Sequence, residues 1–258
     1  MSTNFAASLP DARTENFTFD VDHLETLAHQ IKPGYAQAEP FPHVVIDDFL
    51  PQIVADRILA EYPSKAAPLW LDWKNRDVVH QPKKLGIGNA TRLAGAPPYI
   101  QHVLFALNSF PIVNFLEIAT GIQGLIPDPH YIGGGLHQIL SGGKLAVHAD
   151  FNFHARMLLY RRINLLIYFN QDWSPDFGGD LELWDVGLTR CVKRIPPVFN
   201  RCVIFNTGRK SYHGHPQPLR TPEHVTRKSF ALYYYTREPA LDDAEDRPTN
   251  WQSVGETH

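Results

Sequence analysis

The chain has 258 residues, of which 43% are hydrophobic and 20% are charged, a balance typical of a globular protein that can bury a core. Its formal net charge of -3 excludes a general electrostatic attraction to nucleic acids or anionic membranes. No apolar run approaches the roughly 20 residues of a membrane span, and the N-terminal residues lack the pattern of a signal peptide. The two cysteines do not make a disulfide framework. These features together predict a cytoplasmic protein.

The N-terminal half is predicted to contain helices and one strand. Residues 1–19 are polar and are expected to form a flexible N-terminus. Apolar residues recur at helical spacing from Val21 onward, which predicts a first helix. Residues 41–50 (FPHVVIDDFL) read as a strand, and Pro51 then favours the first turn of a second helix. A further helical region is predicted over about 99–120.

Residues 63–96 form a long segment without sustained periodicity. A segment of this length and irregularity is typical of a lid or binding loop, with a plain surface excursion as the alternative. We therefore expect this segment to face a substrate.

The pattern changes at Tyr131 to short apolar or alternating runs separated by turn sequences. The runs are GLHQIL, KLAVHADF, RRINLLIYFN, DLELWD, RCVIFN and RKSFALYYYT. Strands at this spacing predict a sandwich or jelly roll, so the fold class is mainly β with flanking helices (α+β). We expect one domain over 20–258, with a helical and strand support at 20–130, a β core at 131–236 and a C-terminal tail at 237–258.

The stretch LAVHADFN places His148 and Asp150 two positions apart in an apolar run. Side chains at this spacing lie on one face of a strand. A non-haem iron(II) site uses two imidazoles and one carboxylate on one face of the ion, so this pair could supply two of the three ligands. A histidine and an aspartate at this spacing, with no other evidence, more often form an ion pair on the surface. The interpretation as a metal site therefore needs a second histidine elsewhere in the sequence.

Two features later in the sequence could supply the third metal ligand and a binding site for a dicarboxylate. The segment GRKSYHGHP offers His213 and His215, which lie on the same face if the segment stays extended. In the run RKSFALYYYT, Arg227 and Ser229 share one face of the predicted strand. A guanidinium can hold a carboxylate bidentately, and the hydroxyl adds another donor, so this face could bind a dicarboxylate.

Through HAD at 148–150, HG at 213–214 and RKS at 227–229, the sequence resembles the iron(II)/2-oxoglutarate-dependent dioxygenases, and most closely their prolyl-4-hydroxylase-like branch. These motifs fall within about 131–236, and FPHVVIDDFLP at 41–51 is similar to the opening strand and helix of that branch. The resemblance implies a double-stranded β-helix core, a distorted jelly roll, buttressed by N-terminal helices. It also implies that 2-oxoglutarate and oxygen become succinate and carbon dioxide while an unactivated C–H bond is hydroxylated.

The resemblance also assigns roles to six side chains. Three would bind iron and form the catalytic centre, and three would bind 2-oxoglutarate: His148, Asp150 and His213 for the metal, and Arg227, Ser229 and Tyr168 for the distal carboxylate. Spacing from Phe205 selects His213 over His215 in this branch, although His215 remains an alternative. Arg227 follows His213 at a longer distance than is usual in prolyl hydroxylases, so Arg220 in the intervening turn is a competitor for the carboxylate.

Two other histidines are predicted not to be ligands. His154 follows Asp150 beyond the expected end of the strand. On the first strand of the β core, His137 shares a face with Ile139 while Gln138 shares the other with Leu140, and the sequence leaves open which pair faces the metal.

The expected cofactors are iron(II), 2-oxoglutarate and oxygen, with ascorbate as a candidate reductant. Related halogenases lack the carboxylate ligand, so the presence of Asp150 favours hydroxylation. The resemblance implies a prolyl or other amino-acid residue in a protein or peptide, or an amino-acid-like metabolite, as the substrate. No nucleic-acid or membrane partner is expected. The alternative from another class is a non-catalytic, cupin-like metal-binding jelly roll, which would have no need of Arg227 and Ser229.

Overall fold

The computed structural model describes residues 5–6, 17–72 and 79–254. The described α-helices all lie in the N-terminal half: α1 (Val21–Tyr35), α2 (Gln52–Glu61), α3 (Ala90–Leu93), α4 (Pro98–Leu107) and α5 (Phe110–Thr120). The predicted first and second helices are confirmed, with Pro51 as the N-cap of α2 instead of its first residue. The region predicted over 99–120 is divided into α4 and α5, because the proline in the first turn of α5 has no N–H for a continuing helix.

The segment predicted to be a flexible N-terminus includes residues that belong to the core. Phe17 and Phe19 are 1% and 6% exposed, and their ring centroids lie 4.8 Å apart. The prediction is therefore wrong for these two residues, because two adjacent aromatic side chains bury enough apolar surface to anchor the chain before α1. Residues 1–4 and 7–16 of that prediction lie outside the described residues.

Within the described part of the chain, ten strands form a major sheet and five form a minor sheet. The major sheet has the order β1 (Phe5–Ala6), β2 (His43–Asp47), β12 (Cys202–Asn206), β9 (Leu159–Tyr168), β14 (Arg227–Thr236), β6 (Gly135–Ile139), β4 (Lys84–Gly86) and β3 (Leu71–Asp72), with β5 (Ile126–Pro127) paired to β14 and β8 (Phe153–His154) paired to β9. The minor sheet has the order β11 (Cys191–Ile195), β10 (Leu181–Trp184), β13 (His213–His215), β7 (Leu145–Ala149) and β15 (Asn250–Trp251).

Apart from β8 and β11, successive strands of the C-terminal half alternate between the two sheets: β6, β9, β12 and β14 lie in the major sheet, and β7, β10, β13 and β15 in the minor sheet. All the described pairings are antiparallel except that of β1 with β2. This is the predicted double-stranded β-helix, and the six predicted strands are present as β6, β7, β9, β10, β12 and β14. The prediction missed the two shortest strands of this half, β8 and β15, together with β11 and β13.

The major sheet has one face against the helices and the other against the minor sheet, as the side chains of β9 show. Ile163, Leu165 and Ile167 belong to the core between this sheet and the helices. The intervening residues Leu166 and Tyr168 face the minor sheet, where they pack beside its apolar side chains. The helices therefore buttress the outer face of the major sheet and leave its inner face for the space between the sheets. No single described helix is long and apolar enough to span a bilayer, and only α4 and α5 together, bent by 41°, pass that test.

Residues 63–96 contribute more regular structure than their sequence predicts. They contain β3, β4 and α3, and β4 extends the major sheet by pairing Lys84 with Ile139 of β6. Leu71, Gln81 and Lys84 line the cavity between the sheets, while residues 73–78 lie outside the described part of the chain.

Candidate active site

His148, Asp150 and His213 converge at a cavity of about 690 Å³ between the two sheets. One possible ligand atom from each residue lies within 4.8 Å of the others. We call these three residues the metal cluster. The cluster forms because β13 pairs with β7 so that His213 is directly opposite His148. Asp150 follows β7 by one residue and shares the face of His148.

Both imidazole rings are oriented by their own backbone. Nδ1 of His148 lies 2.9 Å from the carbonyl oxygen of Ala146, and Nδ1 of His213 lies 2.9 Å from that of Ser211. Because a carbonyl oxygen only accepts, each Nδ1 must carry the proton and donate it. Each Nε2 is then the ring nitrogen left to face a metal ion, and these two atoms lie 3.4 and 3.5 Å from the Asp150 carboxylate. This tautomer and orientation are those of a metal-binding histidine.

Two side chains of β9 contact the Asp150 carboxylate. Asn164 Nδ2 donates to Asp150 Oδ2 at 2.8 Å, and Arg161 Nη2 lies 3.1 Å from the same oxygen. Burial alone would raise the pKa of Asp150, but Arg161 together with His213 and His148 holds that pKa well below its usual range. Asp150 is therefore an anion in the folded protein, as a metal ligand must be.

His213 is held in its neutral form. Burial, followed by the neighbouring charge of His148, lowers the pKa of His213 to about 4, although Asp150 acts in the opposite direction. A neutral imidazole keeps a free lone pair on Nε2 at neutral pH. Two imidazole nitrogens and one carboxylate on one side of a point are the donor set of a non-haem iron(II) site, so these residues fit that metal.

A second group of polar side chains lines the same cavity on the major sheet. Arg227 is 5% exposed, its Nε donates to the carbonyl oxygen of Gly179 at 2.8 Å, and its Nη2 lies 3.4 Å from the hydroxyl of Tyr168. Ser229 is opposite Tyr168 across the β9–β14 pair, so the two hydroxyl groups lie on the same face. Burial raises the pKa of Tyr168 against the effect of Arg227, which keeps the phenol as a donor. This group offers a guanidinium and two hydroxyls to a carboxylate.

The structure places the residues that the sequence left open. His137 and Ile139 line the cavity, whereas Gln138 points the other way and donates to Pro63. His137 Nε2 donates to the carbonyl oxygen of Gly133 at 2.9 Å, and His137 is outside the metal cluster. His154 lies apart in β8, with its Nε2 3.6 Å from Asp128.

The two competitors also have distinct positions. His215 lines the cavity but is not part of the cluster of His148, Asp150 and His213. Arg220 is exposed and is not among the cavity residues, which leaves Arg227 as the arginine beside Tyr168.

Sequence reasoning missed Arg161, Asn164 and Tyr233, which line the cavity on β9 and β14. Arg161 is 2% exposed, and its guanidinium carbon lies 3.4 Å from the centroid of the Tyr233 ring. The available signal was the run RRINLLIYFN, where a polar residue interrupts an apolar strand at Asn164, on the face of Tyr168. Arg161 could not be placed by alternation, because a register shift in the β9–β14 pair separates it from Asn164.

The sequence also gave no indication that the predicted C-terminal tail reaches the site. Pro248, Thr249 and Trp251 line the cavity, and Trp251 in β15 is paired with His148 in β7. Arg247 donates to the backbone oxygen of Asp150, so this segment contacts the metal cluster at two points. We call residues 243–252 the C-terminal segment.

Residues 134–235 match the sequence profile of the 2OG-Fe(II) oxygenase superfamily, a range that includes all six side chains assigned to metal and cosubstrate. A search of curated protein sequences finds no significant match. Many solved structures resemble the fold. A prolyl hydroxylase of Trichoplax adhaerens, in complex with a peptide fragment of the hypoxia-inducible factor oxygen degradation domain, is 18% identical with a TM-score of 0.59, over 86% of this chain and 94% of that one.

Two further structures show the same likeness. A prolyl 4-hydroxylase of Phytophthora capsici is 18% identical with a TM-score of 0.54, over 91% of this chain and 70% of that one. HygX of Streptomyces hygroscopicus, with nickel, 2-oxoglutarate and hygromycin B bound, is 12% identical with a TM-score of 0.51, over 82% of this chain and 93% of that one. At these identities, the likeness is one of fold.

Proposed function

We propose that this chain is a hydroxylase of the 2OG-Fe(II) oxygenase superfamily, whose profile matches residues 134–235, and that His148, Asp150 and His213 hold iron(II) while Arg227 holds the distal carboxylate of 2-oxoglutarate. The observation that carries this proposal is that the three ligand side chains and the buried arginine line one cavity. These two imidazoles and one carboxylate would hold iron(II) between the two sheets.

The reaction of this superfamily consumes 2-oxoglutarate, oxygen and a C–H bond and yields succinate, carbon dioxide and a C–OH bond, with the bound iron(II) supplying the redox chemistry. His148 and His213 each present Nε2, because their Nδ1–H groups are engaged by backbone carbonyls. Asp150 stays ionised because Arg161 lies beside it. Arg227, Tyr168 and Ser229 would orient the cosubstrate, and His148 and His213 are each only 5% exposed to solvent.

We propose a prolyl or other amino-acid residue of a peptide, or an amino-acid-like metabolite, as the substrate. In support, the Trichoplax structure of the same fold holds a peptide, while HygX holds hygromycin B, a small molecule. The cavity of about 690 Å³ has room for a side chain beside the cosubstrate. The aromatic ring of Tyr233 and the guanidinium of Arg161 form one wall, which suits a group that is apolar with a polar neighbour.

The test is succinate formation from 2-oxoglutarate by the purified protein with iron(II), oxygen and ascorbate, compared with Asp150→Ala. We expect slow turnover without added substrate in the wild type and none in the variant. Peptides and amino acids are then screened for an added oxygen atom by mass spectrometry. A wild-type protein that binds no 2-oxoglutarate in calorimetry would exclude the hydroxylase and favour the cupin-like metal-binding protein.

A further inference from the structure

We infer that His215 is a further binding residue for the cosubstrate, which donates a ring N–H to the distal carboxylate of 2-oxoglutarate beside Arg227. The inference rests on the proposed function, since it assigns one more residue to the same site. It does not follow from the metal cluster, because His215 is not a member of that cluster.

The first observation is that the ring of His215 is buried with nothing to bond. His215 is 3% exposed, and neither Nδ1 nor Nε2 has a hydrogen-bond partner among the described residues. Buried polar groups are nearly always hydrogen-bonded, so a ring with two such atoms points to a missing partner. Other residues with a buried polar atom that lacks a partner do not line the cavity: His23, Tyr99, Asn108, His154, Thr207 and Tyr235.

The second observation is the position of His215 along β13. His213 is opposite His148, whereas His215 is opposite Leu145, so His215 lies farther along β13 than the metal cluster while both rings line the cavity. A Cβ on Gly214 would lie 2.8 Å from the backbone oxygen of Leu145. Glycine is therefore needed between the two histidines for β13 to approach β7 this closely.

The third observation is the direction in which β13 runs beyond the metal cluster. Gly214 is opposite Glu182 in the antiparallel pair of β13 with β10, so His215 lies toward Leu181 at the start of β10. The carbonyl oxygen of Gly179, two residues before Leu181, accepts a hydrogen bond from Nε of Arg227, and His215 and Arg227 line the same cavity. An imidazole carries at least one N–H in either protonation state. A dicarboxylate that reaches from the metal to Arg227 would therefore place its distal carboxylate near this ring.

The experiment measures binding by calorimetry to protein loaded with manganese(II) in place of iron(II), so that no turnover occurs. Two ligands are compared: 2-oxoglutarate, and pyruvate, which keeps the 2-oxo acid group but lacks the distal carboxylate. His215→Leu removes both ring nitrogens, and His215→Gln retains an N–H donor. His154→Leu is the matched control, because His154 is 4% exposed and does not line the cavity, and its Nε2 makes no hydrogen bond but lies 3.6 Å from an oxygen of Asp128.

We expect His215→Leu to weaken 2-oxoglutarate binding by about 10- to 100-fold, the size expected for a hydrogen bond to a charged group. Binding of pyruvate and of manganese(II) should be unchanged, His215→Gln should recover part of the loss, and His154→Leu should bind both ligands as the wild type does. If thermal unfolding shows that His215→Leu does not fold, His215→Met removes the same donors in a more adaptable side chain.

Three results would overturn the inference. Unchanged 2-oxoglutarate binding in the variant would make His215 an ordinary core residue. An equal loss for pyruvate would place His215 at the metal end of the cosubstrate, and a loss of manganese affinity would make it a metal ligand. Failure of the wild type to bind 2-oxoglutarate at all would instead contradict the proposed function.

Discussion

Trp251 lies against the imidazole of His148, because β15 pairs with β7 and brings the two residues directly opposite each other. Their ring centroids are 4.7 Å apart, and His80 in turn stacks on Trp251 at 4.6 Å. Arg247 anchors the same segment by donating to the backbone oxygen of Asp150. The C-terminal segment therefore forms one wall of the metal cluster and restricts the rotation of a ligand side chain.

Replacing Trp251 with alanine should weaken metal binding without unfolding the protein. Loss of the ring leaves His148 free to turn, and residues that orient metal ligands are typically worth about 10- to 100-fold in affinity. The metal dissociation constant is measured by competition with a chelator. Trp251→Phe is the control, since it keeps an aromatic ring beside His148 and should lose much less. Equal affinity in Trp251→Ala and the wild type would show that the wall has no orienting role.

Arg161→Met should destabilise the metal-free protein more than the metal-loaded protein. Without Arg161, the buried Asp150 carboxylate loses its cation, and breaking a buried pair in this way costs about 3–5 kcal/mol. A bound divalent metal supplies positive charge to the same carboxylate and should offset part of the loss. The free energy of unfolding is measured in urea with and without manganese(II). An equal loss in both states would mean that Arg161 stabilises the fold through packing against Tyr233 alone.

Arg227→Ala should raise the concentration of 2-oxoglutarate needed for half-maximal turnover by about 100-fold, because truncating one member of a buried charge pair costs about 2–5 kcal/mol. Arg220→Ala is the matched control and should behave as the wild type, since Arg220 is exposed and is not a cavity residue. Steady-state kinetics at varied 2-oxoglutarate separate the two variants. The assignment of Arg227 fails if the Arg220 variant shows the larger effect.

The stability of the metal-free protein should fall as the pH decreases below about 6.5, in part because of His137. Burial, and then the charge of Lys84, lowers the pKa of His137 well below its usual value. Below pH 6.5 the unfolded chain therefore binds a proton at this residue that the folded chain does not bind. The free energy of unfolding then decreases by about 1.4 kcal/mol per pH unit for this group, until the pH reaches the pKa of the folded protein.

His137→Gln removes this titration while keeping an N–H donor for the carbonyl oxygen of Gly133. The free energy of unfolding in urea is measured at a series of pH values. Below pH 6.5 it should decrease less steeply with falling pH in the variant than in the wild type, and above pH 7 its dependence on pH should be the same in both proteins. Parallel curves across the acidic range would mean that His137 is protonated equally in both states.

The spacing of apolar residues along the sequence predicted much of the secondary structure. The short apolar or alternating runs after Tyr131 predicted six strands correctly, because a strand between two layers buries one or both of its faces and ends at a turn sequence. The helical spacing from Val21 predicted α1 for the equivalent reason. Spacing alone also grouped His148 with Asp150 and Arg227 with Ser229, since residues two apart on a strand share a face whatever lies around them.

What a single strand cannot determine is its register with a distant neighbour. His213 and His215 share a strand and a cavity, and only the pairing of His213 with His148 decides which ring lies beside Asp150. Arg161 reaches Asp150 across a register shift that no alternation predicts.

The sequence could not predict that the C-terminal segment contacts the metal cluster, for a similar reason. β15 is two residues long, too short for any periodicity, and the partner of Trp251 lies in β7, about a hundred positions away in the sequence. The sequence by itself determined which residue types could form a site and on which strand faces they lie, because those follow from local geometry. Only the tertiary structure decided which of them meet, because register, bulges and the return of the C-terminal segment depend on contacts between residues far apart in the chain.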